Sequence, residues 1–92
     1  MIERLRLIVE GRVQGVFYRR FIADKAAELA LKGWVRNLQD GNVEILAEGE
    51  RASLEDIIQH CQKGPPGAKV GQVKREWLKA THDLTTFRVI YP

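Results

Sequence analysis

The hydrophobic pattern of this chain switches between the strand period and the helix period in the order strand, helix, strand, strand, helix, strand, and few folds accept that order. In residues 4–9, Leu5, Leu7 and Val9 share one face while Arg4, Arg6 and Ile8 share the other, as in a strand buried on one side. Ile22, Ala26 and Leu29 then recur at helical spacing among Asp24, Lys25, Glu28 and Lys32, with Gly33 expected as the stop. Residues 34–38 and 42–48 read as strands around Gln39-Asp40-Gly41, whose Asp-Gly step is a hairpin signal that makes the two antiparallel. Leu54, Ile57, Ile58 and Cys61 form a second helical stripe, with Ser53 and Asp56 as its expected capping pair. Lys63-Gly64-Pro65-Pro66-Gly67 ends that helix; residues 69–79 then read as a long strand bulged at Gly71, and 87–91 as a last alternating segment. The expected fold class is α+β: a ferredoxin-like two-layer sandwich, βαββαβ plus a C-terminal strand, with two helices on one face of an antiparallel sheet.

The 92 residues suit one domain, 1–92, and a hydrophobic content of 45% supplies one core with little left for a second lobe. The net charge of +3 is dispersed, with no basic run of the kind that tracks a nucleic-acid backbone, so no nucleic-acid partner is expected. Cys61 is the single cysteine, which excludes an intrachain disulfide and a thiolate metal cage built from this chain alone. No apolar run approaches the roughly 20 residues of a membrane span, and the opening lacks an ordinary signal-peptide segment. A cytoplasmic monomer without membrane attachment is expected.

Residues 11–20, GRVQGVFYRR, carry the first chemical signal. Gly11 and Gly15 permit backbone angles at which successive amides turn inward into a concave anion cradle. A helix start beyond them adds partial positive charge, and a following arginine adds a planar two-pronged donor. A nucleotide site of the Walker type is not expected, because the loop lacks the Gly-Lys-Ser/Thr ending. A second cluster follows in Gly33-Trp34-Val35-Arg36-Asn37, Asp40-Gly41-Asn42-Val43 and Gly49.

These segments resemble the acylphosphatase family, and the resemblance runs the length of the chain. Gly11, Val13, Gln14, Gly15, Val16 and Arg19 match the family's first signature; Gly33, Trp34, Asn37, Gly41, Val43 and Gly49 match the second. Tyr18 departs from it, standing where the family usually has phenylalanine, so a buried ring there needs a partner for its hydroxyl. The resemblance implies hydrolysis of small acyl phosphates to carboxylate and inorganic phosphate, the latter also a competitive inhibitor. It implies Arg19 and Asn37 as catalytic residues and the amides of Gln14, Gly15, Val16, Phe17, Tyr18 and Arg19 as the phosphate cradle. Arg19 would hold the phosphate oxygens, and Asn37 would aim a water rather than deprotonate it. No cofactor and no metal ion are expected, since the matched positions supply no His, Asp and Glu cluster and the leaving carboxylate needs no general acid.

Other chemistry-bearing residues have plainer readings. Arg20 and Arg36 read as solvated charges, Cys61 as a core thiol beside an exposed His60, His82 as a loop residue without a partner, and Trp34 and Trp77 as packing residues. The alternative to the enzyme is a non-catalytic ferredoxin-like module that binds anions or RNA or regulates a larger assembly.

Overall fold

Alternation at the start of the chain builds the longest strand of the sheet, β1 (Ile2–Arg12), which buries Leu5, Leu7 and Val9 completely. It is followed by α1 (Tyr18–Glu28), β2 (Lys32–Asn37), β3 (Val43–Glu50), α2 (Arg51–Lys63), β4 (Lys69–Leu78) and β5 (Phe87–Ile90). The computed structural model describes residues 1–91. The sheet order is β4-β1-β3-β2-β5, so β1, β3 and β2 lie inside it, and β1 and β3 carry most of the sheet's buried aliphatic side chains. Strands β1–β4 pair antiparallel, as expected. The added C-terminal strand does not: β5 runs parallel to β2, pairing Val35 with Val89, so the sheet is mixed. A direct return from β4 would have paired antiparallel at the other edge; the connection of residues 79–86 instead carries the chain across to β2.

Both helices contribute to one core. Tyr18, Ile22 and Ala26 of α1 and Leu54, Ile57, Ile58 and Cys61 of α2 cluster with Leu5, Leu7, Val9, Val35, Val43, Ile45 and Ala47 of the sheet. The bulge lies where expected: Glu10 pairs with Gln72 and Gly11 with Val70, which leaves Gly71 as the extra residue.

Two expected signals did other work. Helix α1 ends in a Schellman turn, with Ala30 at φ 57 and Leu31 N–H donating to Ala26 C=O at 2.9 Å, so Gly33 is not its stop. Gly33 sits in β2 because a Cβ there would lie 1.8 Å from the Leu46 carbonyl oxygen. Ser53 and Asp56 do not cap α2, which starts earlier, after an extended Glu50, and has no side-chain cap bond. The chain passes directly from β3 into α2 at Glu50, which places the helix start ahead of the Ser53–Asp56 pair.

The open face of the sheet is a lattice of ion pairs. Glu44 is buried between Arg6 and Arg36, and Glu48 between Arg4 and the Thr81 and His82 amides. Arg36 is therefore not simply solvated: it is held 2.6 Å from Glu44 and lies over the Trp34 ring. Burial on its own would raise the Glu48 carboxyl, but the Thr81 amide, the Arg4 guanidinium and the His82 amide together hold it below the usual carboxylate range. Among the described residues no helix is long and apolar enough to cross a membrane.

Candidate active site

The chain leaves β1 at Arg12 and enters α1 at Tyr18 through a loop of bends, with Gly15 at φ 75 and Phe17 at φ 61. A left-handed phenylalanine costs on the order of 1–2 kcal/mol, so tertiary structure holds the turn against local preference. Among the described residues, no main-chain bond outside the helices and strands uses the amides of residues 14–17 as donors. The first turn of α1 adds further N–H groups that no helix can satisfy internally. This loop and the start of α1 border a cleft of about 310 Å³ lined by Val13, Gly15, Phe17, Tyr18, Arg19, Arg20, Asn37 and Tyr91.

Arg19 and Asn37 thus line one cleft although they come from different elements. Arg19 is on the first turn of α1, half-buried, and its Nη1 donates to the Ile90 carbonyl at 3.0 Å. Its Cζ lies 4.7 Å from the centre of the Tyr91 ring. Arg4, Arg6 and Arg36 are held by carboxylates, whereas Arg19 is held by a neutral carbonyl and a π face, which fix its direction without neutralising it. Asn37 ends β2, and its Oδ1 is buried without a hydrogen-bond partner. Such an acceptor is costly unless a ligand or water completes it.

The other expected site residues divide. Gly15, Phe17 and Tyr18 line the cleft; Gln14 and Val16 do not. The Gln14 carboxamide turns to the β2–β3 hairpin, its Nε2 donating to Leu38 and Asn42 carbonyls at 2.8 Å each. It therefore ties the loop that carries Arg19 to the hairpin that carries Asn37. Tyr18 is almost fully buried, and its hydroxyl donates to the Cys61 carbonyl at 2.7 Å. That carbonyl lies in the last turn of α2, and the position that would present the next helical donor is Pro65. Burial raises the phenol pKa, so the hydroxyl keeps its proton and remains a donor.

The sequence reading missed the grip of the C-terminal strand on Arg19. The alternation of residues 87–91 announced a strand, but nothing in it announced that the strand would lie beside β2 and deliver Ile90 and Tyr91 to the cleft. Cys61 is fully buried and its thiol pKa is pushed up to about 12 by that burial, so it is a packing residue. Phe21 meets His60 edge-on at 6.3 Å, away from the cleft lining. The His82 backbone amide donates to Glu48 at 3.3 Å, while among the described residues its imidazole has no hydrogen-bond partner, as read from the sequence. Among the described residues no group of three or more His, Cys, Asp or Glu side chains is placed to hold a metal ion.

The family model described as Acylphosphatase matches residues 5–89. The chain is 49% identical to the acylphosphatase of Marinobacter nauticus over 98% of both chains. It is 48% identical to that of Anaeromyxobacter dehalogenans over 94% of this chain and 92% of the relative. The crystal structure of acylphosphatase from Bacillus subtilis superposes with a TM-score of 0.93 at 37% identity, covering 99% of this chain and 100% of that one.

Proposed function

Because the chain belongs to the acylphosphatase family, we propose that it hydrolyses its acyl phosphate substrate with Arg19 and the loop amides as phosphate holders and Asn37 as the residue that aims the attacking water. The substrate class is small acyl phosphates, and the products are a carboxylate and inorganic phosphate. In this reading the phosphate cradle is the amide run of Gln14, Gly15, Val16, Phe17, Tyr18 and Arg19, of which Gly15, Phe17, Tyr18 and Arg19 line the cleft, and the guanidinium adds charge-assisted bonds roughly twice as strong as neutral ones. Asn37 Oδ1 accepts a hydrogen bond from the water, which attacks phosphorus opposite the acyl oxygen. The P–O bond to the acyl group breaks, the carboxylate leaves with the bonding pair, and the water's proton passes to a phosphate oxygen. A carboxylate whose conjugate acid has a pKa near 4 to 5 leaves without a general acid, so no further titrating group and no metal ion is required.

The observation that carries this reading is that Asn37, whose Oδ1 is buried without a partner, lines the same cleft as Arg19. The protein acts in this reading as one cytoplasmic domain, 1–92, monomeric and without membrane or nucleic-acid partners. The non-catalytic anion- or RNA-binding module is the less favoured reading, since the full-length relatives are named as enzymes. The test is hydrolysis of benzoyl phosphate by purified protein in the presence of a chelator, with inorganic phosphate as competitive inhibitor. Arg19→Ala and Asn37→Ala are each expected to lower kcat at least about 100-fold, as loss of a preorganised polar group does elsewhere. Either variant retaining wild-type kcat would overturn the assigned roles.

A further inference from the structure

Three large hydrophobic side chains are markedly exposed, and the two aromatic ones, Phe17 at 86% and Tyr91 at 66%, line the same cleft. Exposure of a large apolar side chain is ordinary when scattered; two aromatic rings at the edge of one anion site are a pattern. Phe17 is the more telling. Its backbone is left-handed, a conformation that glycine or asparagine adopts at lower cost, and its ring gives the core nothing in return. Tyr91 lies beside the Arg19 guanidinium, so its ring is oriented by the group that would hold the phosphate. Neither ring pairs with another aromatic among the described residues, where Phe21 and His60 form the recorded pair.

The cleft also has room beyond the phosphate. About 310 Å³ is at the lower end of the ~300–1,000 Å³ of small-molecule sites, enough for an anion and a compact acyl group. The loop amides and Arg19 are assigned to the phosphate, which leaves the side chains of Phe17 and Tyr91 at the cleft edge for the acyl end. Resting on the reading above, we infer that Phe17 and Tyr91 form an aryl-binding edge that selects acyl phosphates with flat, unsaturated acyl groups over small aliphatic ones. Offset or edge-on contact with a planar acyl group repays the exposure of both rings, and a methyl group cannot reproduce it.

The test compares kcat/KM for benzoyl phosphate and acetyl phosphate in the wild type, Phe17→Ala, Phe17→Asn and Tyr91→Ala. The benzoyl-to-acetyl ratio is expected to fall about three- to tenfold in each variant, the range that one aromatic contact represents. Tyr91→Ala also disturbs Arg19 and lowers the rate with both substrates, so the ratio rather than the rate is read. Competitive inhibition of the wild type by phenylphosphonate and methylphosphonate provides a measurement free of variants, with the phenyl compound expected to bind about three- to tenfold tighter. An unchanged ratio in the Phe17 variants, or equal inhibition by the two phosphonates, overturns the aryl edge and leaves the cradle standing. Failure of the wild type to hydrolyse either substrate or to bind inorganic phosphate overturns both.

Discussion

Replacing Tyr18 by phenylalanine is expected to weaken this protein. The substitution removes one oxygen. That oxygen donates to the Cys61 carbonyl at 2.7 Å, in a setting where Tyr18 is 1% and Cys61 0% exposed. A net hydrogen bond is worth about 0.5–1.5 kcal/mol, and a buried carbonyl left without a donor costs about 1–3 kcal/mol. Pro65 cannot replace the donor, having no N–H, and both residues are buried. The ring itself stays in place, so no cavity larger than the lost oxygen forms. The expected loss is about 1–2 kcal/mol, which for a chain of this size lowers Tm by roughly 5–12 °C. Urea denaturation followed by circular dichroism measures it: the midpoint should fall with no change in slope, since the surface exposed on unfolding is the same. A variant within about 0.3 kcal/mol of the wild type would refute the reasoning, because it would mean the α2 terminus satisfies its carbonyls without Tyr18.

Other expectations follow from single contacts. Gln14→Ala removes both bonds to the hairpin and should cost about 1–2 kcal/mol of stability; because that hairpin follows Asn37, kcat should fall about tenfold as well. An intact rate in a destabilised variant would sink the coupling between loop and hairpin. Gly33→Ala puts a Cβ 1.8 Å from the Leu46 carbonyl oxygen, a clash with backbone that cannot move aside. It should destabilise by more than about 3 kcal/mol, and a well-folded variant with wild-type Tm would contradict the register described. Acid should act through Glu48, whose folded pKa is depressed. Its stabilising effect is complete above the unfolded carboxyl pKa of about 4.3 and is lost as pH falls through the lower folded value. Glu48→Gln should therefore be less stable at neutral pH and show a shallower loss of stability below about pH 4, read by chemical denaturation across pH.

The site was legible in the sequence to the extent that its pieces are local. The GRVQGVFYRR loop announced itself because two glycines at short spacing before a helix describe a backbone shape, and Asn37 fell at a fixed offset from Gly33 and Gly41. Gly33 itself was misjudged as a helix stop: a glycine after a helical stripe has the same appearance whether it ends a helix or lets two strands approach, and only the position of Leu46 separates the two. The Ser53–Asp56 pair failed for a similar reason. Its spacing fits a cap wherever it occurs, and here the strand entering at Glu50 had already begun the helix.

Periodicity and turn residues alone determined which segments are strands and helices, their order, the hairpin and the bulge at Gly71, because each is decided by neighbours a few positions away. Tertiary structure decided that β5 runs parallel beside β2, that Ile90 and Tyr91 orient Arg19 across 71 and 72 positions of chain, and that Gln14 braces the hairpin next to Asn37. Those pairings depend on strand register and on which edge of the sheet receives the last segment. Neither is encoded in any short window, since a side chain's partner across a sheet is chosen by the packing of the whole core.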